Sequence, residues 1–216
     1  MKLKKEKKYL IKYETILLEP VFNKYGSLWT QVREWRHSFI VTQKPKEIIE
    51  NSLLYYGRGD LNAATKVSRS ALNRNVDMPP IMISRQHGLY WFPTQSPSKE
   101  DICIWIAAHH ISNTSPKTST ETDVLFYNDD KISLPYSQKT TERKIYQAEH
   151  LQRTMEHRSR KSQYKQEINA SLIKELSNIL YSYFITNKYK SVNDNLNNQK
   201  EYLSVEKFDH RDAYTS

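Results

Sequence analysis

The chain has 216 residues and carries 33 Lys and Arg against 24 Asp and Glu, a formal net charge of +9. Its hydrophobic share is 38%, and 15 of those residues are Tyr, so the strictly apolar content falls below the roughly 45–50% of an ordinary globular domain and part of the chain lies outside any core. A single cysteine, Cys103, excludes a disulfide framework and a Cys-based zinc site, and no run of 18 apolar residues occurs that could span a membrane. The Lys-rich start has no apolar segment behind it and predicts no secretory signal, so the expected location is cytoplasmic. The basic excess predicts a polyanionic partner, either nucleic acid or an anionic surface.

Residues 1–8 read as a Lys-rich arm with nothing to hold it, and are expected to fray. Between 9 and 135, short runs rich in Ile, Val, Tyr, Phe and Trp occur at 9–18, 37–42, 81–83, 89–92, 102–108, 124–127 and 131–134. Turn residues separate them, among them Pro79-Pro80, His87-Gly88, the stretches 93–99 and 112–122, and Asn128-Asp129-Asp130. This spacing predicts a mainly antiparallel sheet, with 128–130 closing a hairpin. Within the same region, 45–56 predicts a short helix: Ile48, Ile49, Ser52 and Leu53 share one side, and Gly57 stands where a helix stops.

From Lys139 the period changes to that of helices. Ile145, Ala148, Leu151, Gln152 and Met155 fall on one face of a first helix. Ile168, Leu172, Leu176, Ile179, Leu180 and Tyr183 form the apolar face of a second, which is expected to bury it against the body. Beyond Asn187 the pattern dissolves into Asn, Lys, Ser and Gln with five basic and five acidic residues, a composition that predicts disorder. The expected fold is α+β: a mainly antiparallel β-rich body followed by a C-terminal pair of helices. The expected organisation is a flexible arm at 1–8, one domain at 9–189 and a disordered polar tail at 190–216.

Nothing in the sequence predicts an enzyme. His109-His110 is the one pair of adjacent histidines, and on a strand neighbouring side chains point to opposite faces, so the two are expected to be structural and not to share a metal. Cys103 lies in Ile-Cys-Ile-Trp-Ile, the setting of a small core hydrophobe. Asp129-Asp130 reads as a turn, and Gly57-Arg-Gly59 is too short to cradle a phosphate. No cofactor, no metal and no catalytic residue are expected.

The basic residues are more informative because they cluster. The stretch 139–165 holds eight Lys and Arg against three Glu. On a helical wheel Arg143, Arg153, Arg160 and Lys161 share one broad side with Tyr146, His150, His157 and Tyr164, opposite Ile145, Leu151 and Met155. Such a side presents cations with aromatic hydroxyls between them and suits a phosphate backbone. Arg58, Lys66, Arg69 and Arg74 form a second cluster; small Gly, Ala, Ser and Thr residues between them allow close backbone approach to phosphate, although an ordinary surface loop has the same composition.

One succession of motifs is more specific. Tyr55-Tyr56-Gly57 is followed by Pro79-Pro80-Ile81-Met82, by Phe92-Pro93-Thr94, and by Trp105-Ile106 with a His four residues on; an apolar hairpin then ends at Leu134-Pro135 before the basic helix. In this order and spacing the blocks resemble the competence transcription factor (ComK) family of Gram-positive bacteria. The resemblance covers roughly 9–189 and is most specific over 52–111. It implies a sequence-specific DNA-binding activator of DNA-uptake genes that recognises AT-rich boxes on double-stranded DNA, largely through the minor groove, as dimers that pair into tetramers. RNA polymerase and a proteolytic adaptor are the further partners it implies, although the chain has no copy of the aromatic-Leu-Tyr-Pro segment that the adaptor reads in some relatives. The alternative from the residues is an RNA or single-stranded nucleic-acid binding protein that stacks bases on exposed Tyr and Trp. A membrane partner is not expected. The eight residues assigned to DNA, Arg58, Lys66, Arg69, Arg74, Arg143, Arg153, Arg160 and Lys161, rest on charge alone.

Overall fold

Pairs of bulky residues that follow one another along a single strand set the architecture. Leu17 and Leu18, Trp91 and Phe92, and Trp105 and Ile106 are all buried, yet consecutive strand residues face opposite sides of a sheet. A sheet with such strands needs cover on both faces. The computed structural model describes the backbone of residues 5–209, and the side chains of 5–185 apart from Gln163. In it Leu18, Trp91 and Trp105 pack with α1 and α2, whereas Leu17, Phe92 and Ile106 pack with a second, smaller sheet.

The elements run β1 (Lys5–Glu6), β2 (Thr15–Phe22), β3 (Leu28–Glu34), β4 (Ser38–Val41), α1 (Pro45–Tyr55), α2 (Leu61–Leu72), β5 (Ile81–Ser84), β6 (Leu89–Pro93), β7 (Trp105–Ala107), a 3-10 turn at Ala108–His110, β8 (Ile111–Pro116), β9 (Thr122–Phe126), β10 (Lys131–Leu134) and α3 (Gln138–Asp209). Seven strands form one sheet in the order β1-β4-β3-β2-β7-β6-β5, and three form the other in the order β10-β9-β8. Every pairing is antiparallel except β1 with β4. The fold is thus α+β, a large antiparallel-rich sheet body followed by the expected C-terminal helical pair, joined end to end.

The local signals explain the helices. Pro45 opens α1, where its missing N–H is no loss, and Gly57 follows the C-cap at φ +70°. Ser52 on α1 accepts from the Ile11 N–H at 3.0 Å and donates to the Ile48 carbonyl at 2.7 Å, which ties the helix to the entry of β2. For α2, Asp60 accepts from the Ala63 N–H at 2.7 Å, and Asn73 closes the helix in the left-handed region. The sequence reading assigned no helix to this stretch; it is one because Leu61, Ala64, Ser68, Ala71 and Leu72 line one buried side.

In several segments the local structure differs from the sequence reading. The arm does not fray throughout: Lys5 and Glu6 pair with Ile40 and Val41, and the Lys5 ammonium lies 4.7 Å from the Trp29 ring centre; residues 1–4 lie outside the described residues. The stretches 28–34 and 111–116 are strands β3 and β8, the latter placed among turn residues by its Ser, Asn, Thr and Pro content. The expected pair of C-terminal helices is joined into one run whose backbone stays helical to Asp209; of the tail expected at 190–216, residues 210–216 lie outside the described residues. No Gly or Pro occurs between Gln138 and Asp209, so nothing breaks the run. The chain divides into two compact units, one ending at Ser159 and one beginning at Arg160.

Within the second unit, Ile168, Leu172, Leu176, Ile179, Leu180 and Tyr183 are all exposed. The core of the first unit draws its α3 contribution from Ile145, Ala148, Leu151 and Met155 instead. A chain ending at Gln166 is therefore expected to unfold cooperatively in urea with a stability within about 0.5 kcal/mol of the full chain, the range of surface changes. Aggregation or loss of the cooperative transition would show that the second apolar face supports the core.

Candidate nucleic-acid interface

The α3 segment within the first unit is amphipathic in the way its sequence predicted. Ala148 and Leu151 are fully buried, and Arg143, Tyr146 and Arg153 are exposed on the opposite side. Tyr146 and His150 stack with ring centres 6.0 Å apart and planes 11° from parallel, and the Arg153 guanidinium lies 5.7 Å from the Tyr146 ring centre. These contacts hold three side chains in a fixed row along the helix.

The sheet then brings the C-terminal end of α2 beside this row. Leu72, Asn73, Arg74 and Val76 face Arg143, Tyr146, Gln147 and His150 across a cleft of about 290 Å³. Leu72 and Val76 belong to the apolar cluster that also contains Leu151 and Met155, so the floor is tied to the core. Arg74 and Arg143 are exposed and make no ion pair among the described residues. The cleft thus combines two unpaired guanidinium groups with the donors of Asn73, Gln147 and Tyr146, a set suited to phosphate oxygens and base edges.

Of the eight residues assigned by charge, the structure brings Arg74 and Arg143 together, with Arg153 beside them on Tyr146. Arg58, Lys66 and Arg69 do not line this cleft. Arg69 lines a separate hollow with Lys46, Glu50 and Asp60, and its Nε–H donates to the Val76 carbonyl at 3.3 Å. Lys66 is exposed on α2; Arg58 precedes that helix, half-buried, its Nε without a hydrogen-bond partner. Arg160 and Lys161 are exposed and belong to the second unit. Lys144, one of the basic residues counted in this stretch, is buried: its ammonium donates to the Pro93 carbonyl at 3.1 Å, and burial pulls its pKa down. Asn73 and Gln147 were missed. The signal for Asn73 was its place at the end of a helix capped by Asp60, a helix the sequence reading did not assign.

The other candidates for chemistry resolve differently. Cys103 is buried, its thiol pushed up to about 11 by burial, and its S–H donates to the Gln95 carbonyl at 3.3 Å; no nucleophile is held ready there. Asp129 sits at φ +66° in the hairpin turn between β9 and β10. The histidines require a correction: they do not point to opposite faces, because Ala108–His110 forms a 3-10 turn and not a strand. Their rings lie 4.2 Å apart, and both Nε2 atoms reach the Tyr13 carbonyl, at 3.2 Å from His109 and 2.6 Å from His110. A carbonyl only accepts, so each Nε2 carries the proton. No group of three metal-ligating side chains occurs among the described residues.

Burial, helped by the adjacent His110, pushes the pKa of His109 down to about 4, and burial lowers that of His110 also. Histidines in the unfolded chain take up protons near pH 6.5, whereas folded His109 resists until about 4. Acid therefore favours the unfolded state across that window. The urea midpoint is expected to fall between pH 7 and pH 5, and to fall less in a His109→Gln, His110→Gln double variant. An equal fall in both proteins would place the titrating groups elsewhere than this histidine pair, which the charge of the neighbouring Glu14 carboxylate also acts on through His110.

A β-rich body with a basic cleft between two helices presents the kind of surface that suits a nucleic acid. The family comparison agrees: the ComK protein family model matches residues 6–160, and the chain belongs to that family. Its members are competence transcription factors, which makes this protein a transcription regulator whose partner is DNA. No curated protein and no solved structure matches the chain. No helix among the described residues is long and apolar enough to cross a membrane.

Proposed function

We propose that this protein is a sequence-specific activator of DNA-uptake genes that recognises AT-rich boxes on duplex DNA through the minor groove. The observation that carries this reading is the convergence of Arg74 and Arg143 on one cleft, with Tyr146 between cation and ring stack. An AT-rich minor groove is narrow and its negative potential is enhanced, which draws in guanidinium groups. Arginine suits this role better than lysine because its planar, weakly hydrated cation loses less on leaving water. The family membership supports the transcriptional role, and the exposed, unpaired state of both arginines supports their use on DNA.

In this reading Arg74 and Arg143 enter the groove, and Arg153, held over Tyr146, contacts the adjacent phosphate. Arg58, Lys66, Arg69, Arg160 and Lys161 add phosphate contacts that carry no sequence information. The protein acts in the cytoplasm on its own genome, as a dimer or tetramer on paired boxes, and recruits RNA polymerase. No cofactor takes part.

Arg74→Ala and Arg143→Ala test the proposal. Both residues are exposed, so thermal stability should move by no more than about 0.5 kcal/mol. Each change should weaken binding to an AT-rich box more than to random duplex, because groove width is what the arginines read. Arg153→Ala should weaken both duplexes alike and reduce the slope of log K against log salt by about 0.9. Wild-type affinity and salt slope in the Arg74 and Arg143 variants would remove the cleft from the DNA surface.

A further inference from the structure

Away from the basic cleft, a pocket of about 400 Å³ is lined by Tyr13, Glu14, Trp35, His109, His110 and Tyr127. Four different stretches of chain meet here, and hydrogen bonds fix them to one another. The Trp35 N–H donates to the Glu14 carbonyl at 2.9 Å, Asn128 Nδ2 donates to the Trp35 carbonyl at 3.2 Å, and both histidines donate to the Tyr13 carbonyl. The aromatic rings are nonetheless open to solvent: Tyr13 is 56% exposed, Trp35 39% and Tyr127 62%. Large rings held rigid at a concave surface are a common feature of recognition sites.

The chemistry of the lining selects among ligands. Because both Nε2–H groups are committed to Tyr13, the polar atom that His109 has left is Nδ1, and it is buried without a partner. On a neutral imidazole that atom only accepts. Glu14 is exposed, and no ion pair engages its carboxylate among the described residues. The remaining surface is the rings of Tyr13, Trp35 and Tyr127, whose π-faces are negative and whose hydroxyls and indole N–H are uncharged; no Lys or Arg lines the pocket. On a chain of net charge +9, this pocket is therefore a local concentration of acceptors. A phosphate would meet the Glu14 carboxylate and few donors. A metal ion would find too few ligands, since both Nε2 atoms are used.

We infer that this pocket receives the guanidinium of an arginine side chain presented by a protein partner. A guanidinium is planar and stacks on Trp and Tyr, it carries five N–H donors and no acceptor, and it keeps its charge at every physiological pH. Stacked against Trp35, it would donate to the Glu14 carboxylate, which is exposed at the rim of the pocket. An ammonium is compact and strongly hydrated, and fits the flat slot less well. The depressed pKa of His109 agrees with this assignment, because a neutral imidazole does not repel the incoming cation. The protein thereby has two faces of opposite character: a basic cleft for a polyanion and an acceptor-rich aromatic pocket for a basic protein segment.

The test uses the full-length protein and three capped tripeptides, Gly-Arg-Gly, Gly-Lys-Gly and Gly-citrulline-Gly, with adenosine monophosphate as a fourth probe. Binding is read at pH 7.5 from the indole N–H resonance of Trp35, identified by its loss in Trp35→Leu. The expected result is a saturable shift with the Arg peptide, binding at least fivefold weaker with the Lys peptide, and none with the citrulline peptide, which has the same shape without the charge. Glu14→Gln should weaken the Arg peptide about tenfold while leaving the thermal midpoint unchanged. Equal binding of the citrulline and Arg peptides, an unaltered affinity in Glu14→Gln, or no saturable shift at Trp35 would overturn the inference. Tighter binding of adenosine monophosphate than of the Arg peptide would also overturn it, and would assign the pocket to a nucleobase.

Discussion

The requirement that the seven-stranded sheet be covered on both faces is the constraint from which the rest of the molecule follows. Its central strands β2, β7 and β6 carry consecutive bulky residues, so neither face can be left to water. Each fully buried side chain of this size contributes roughly 1.5–3 kcal/mol, comparable to a substantial part of the 5–15 kcal/mol by which a domain is stable. One face takes α1 and α2, and the other takes the three-stranded sheet with the beginning of α3. Because α2 and α3 dock on the same molecule through Leu72, Met82, Tyr90 and Leu151, their polar sides are set next to each other. The basic cleft is a by-product of how the core is closed.

This arrangement explains why charged residues that are local in sequence serve different ends. Lys144 and Arg143 are neighbours, yet helix geometry turns Lys144 under the sheet to the Pro93 carbonyl and leaves Arg143 on the cleft. Arg69 and Arg74 are similarly close, and the left-handed turn at Asn73 separates them into different hollows. Counting cations therefore overstates an interface. What matters is which of them the backbone directs to one surface without a carboxylate partner.

A second consequence concerns the 3-10 turn at Ala108–His110. It lies where the chain leaves the large sheet at β7 and enters the small one at β8, a transition that no regular strand could make without a bend. The turn places both imidazoles on one side, against the Tyr13 carbonyl, and leaves the aromatic pocket open beside them. The same change of sheet that covers the core also creates this aromatic concave surface.

Much of this was legible in the sequence where the signal is local. Short β-prone runs between turn residues gave five of the seven expected strands nearly in place, β9 and β10 came with the hairpin at 128–130, and Pro45 and Gly57 bracketed α1. The unbroken α3 was also encoded, in the absence of any Gly or Pro from Gln138 to Asp209, although its two apolar stripes read as two helices. Local periodicity states which side of an element is apolar; it does not state what covers that side. For that reason the exposure of Ile168 to Tyr183 was decided only by the tertiary structure, as was the meeting of Arg74 with Arg143. The convergence of His109 on a carbonyl 96 residues away is of the same kind. Contacts across such separations depend on the order in which strands join the sheet, and that order is fixed by the burial of both faces at once, a property of the assembled core and of no single segment.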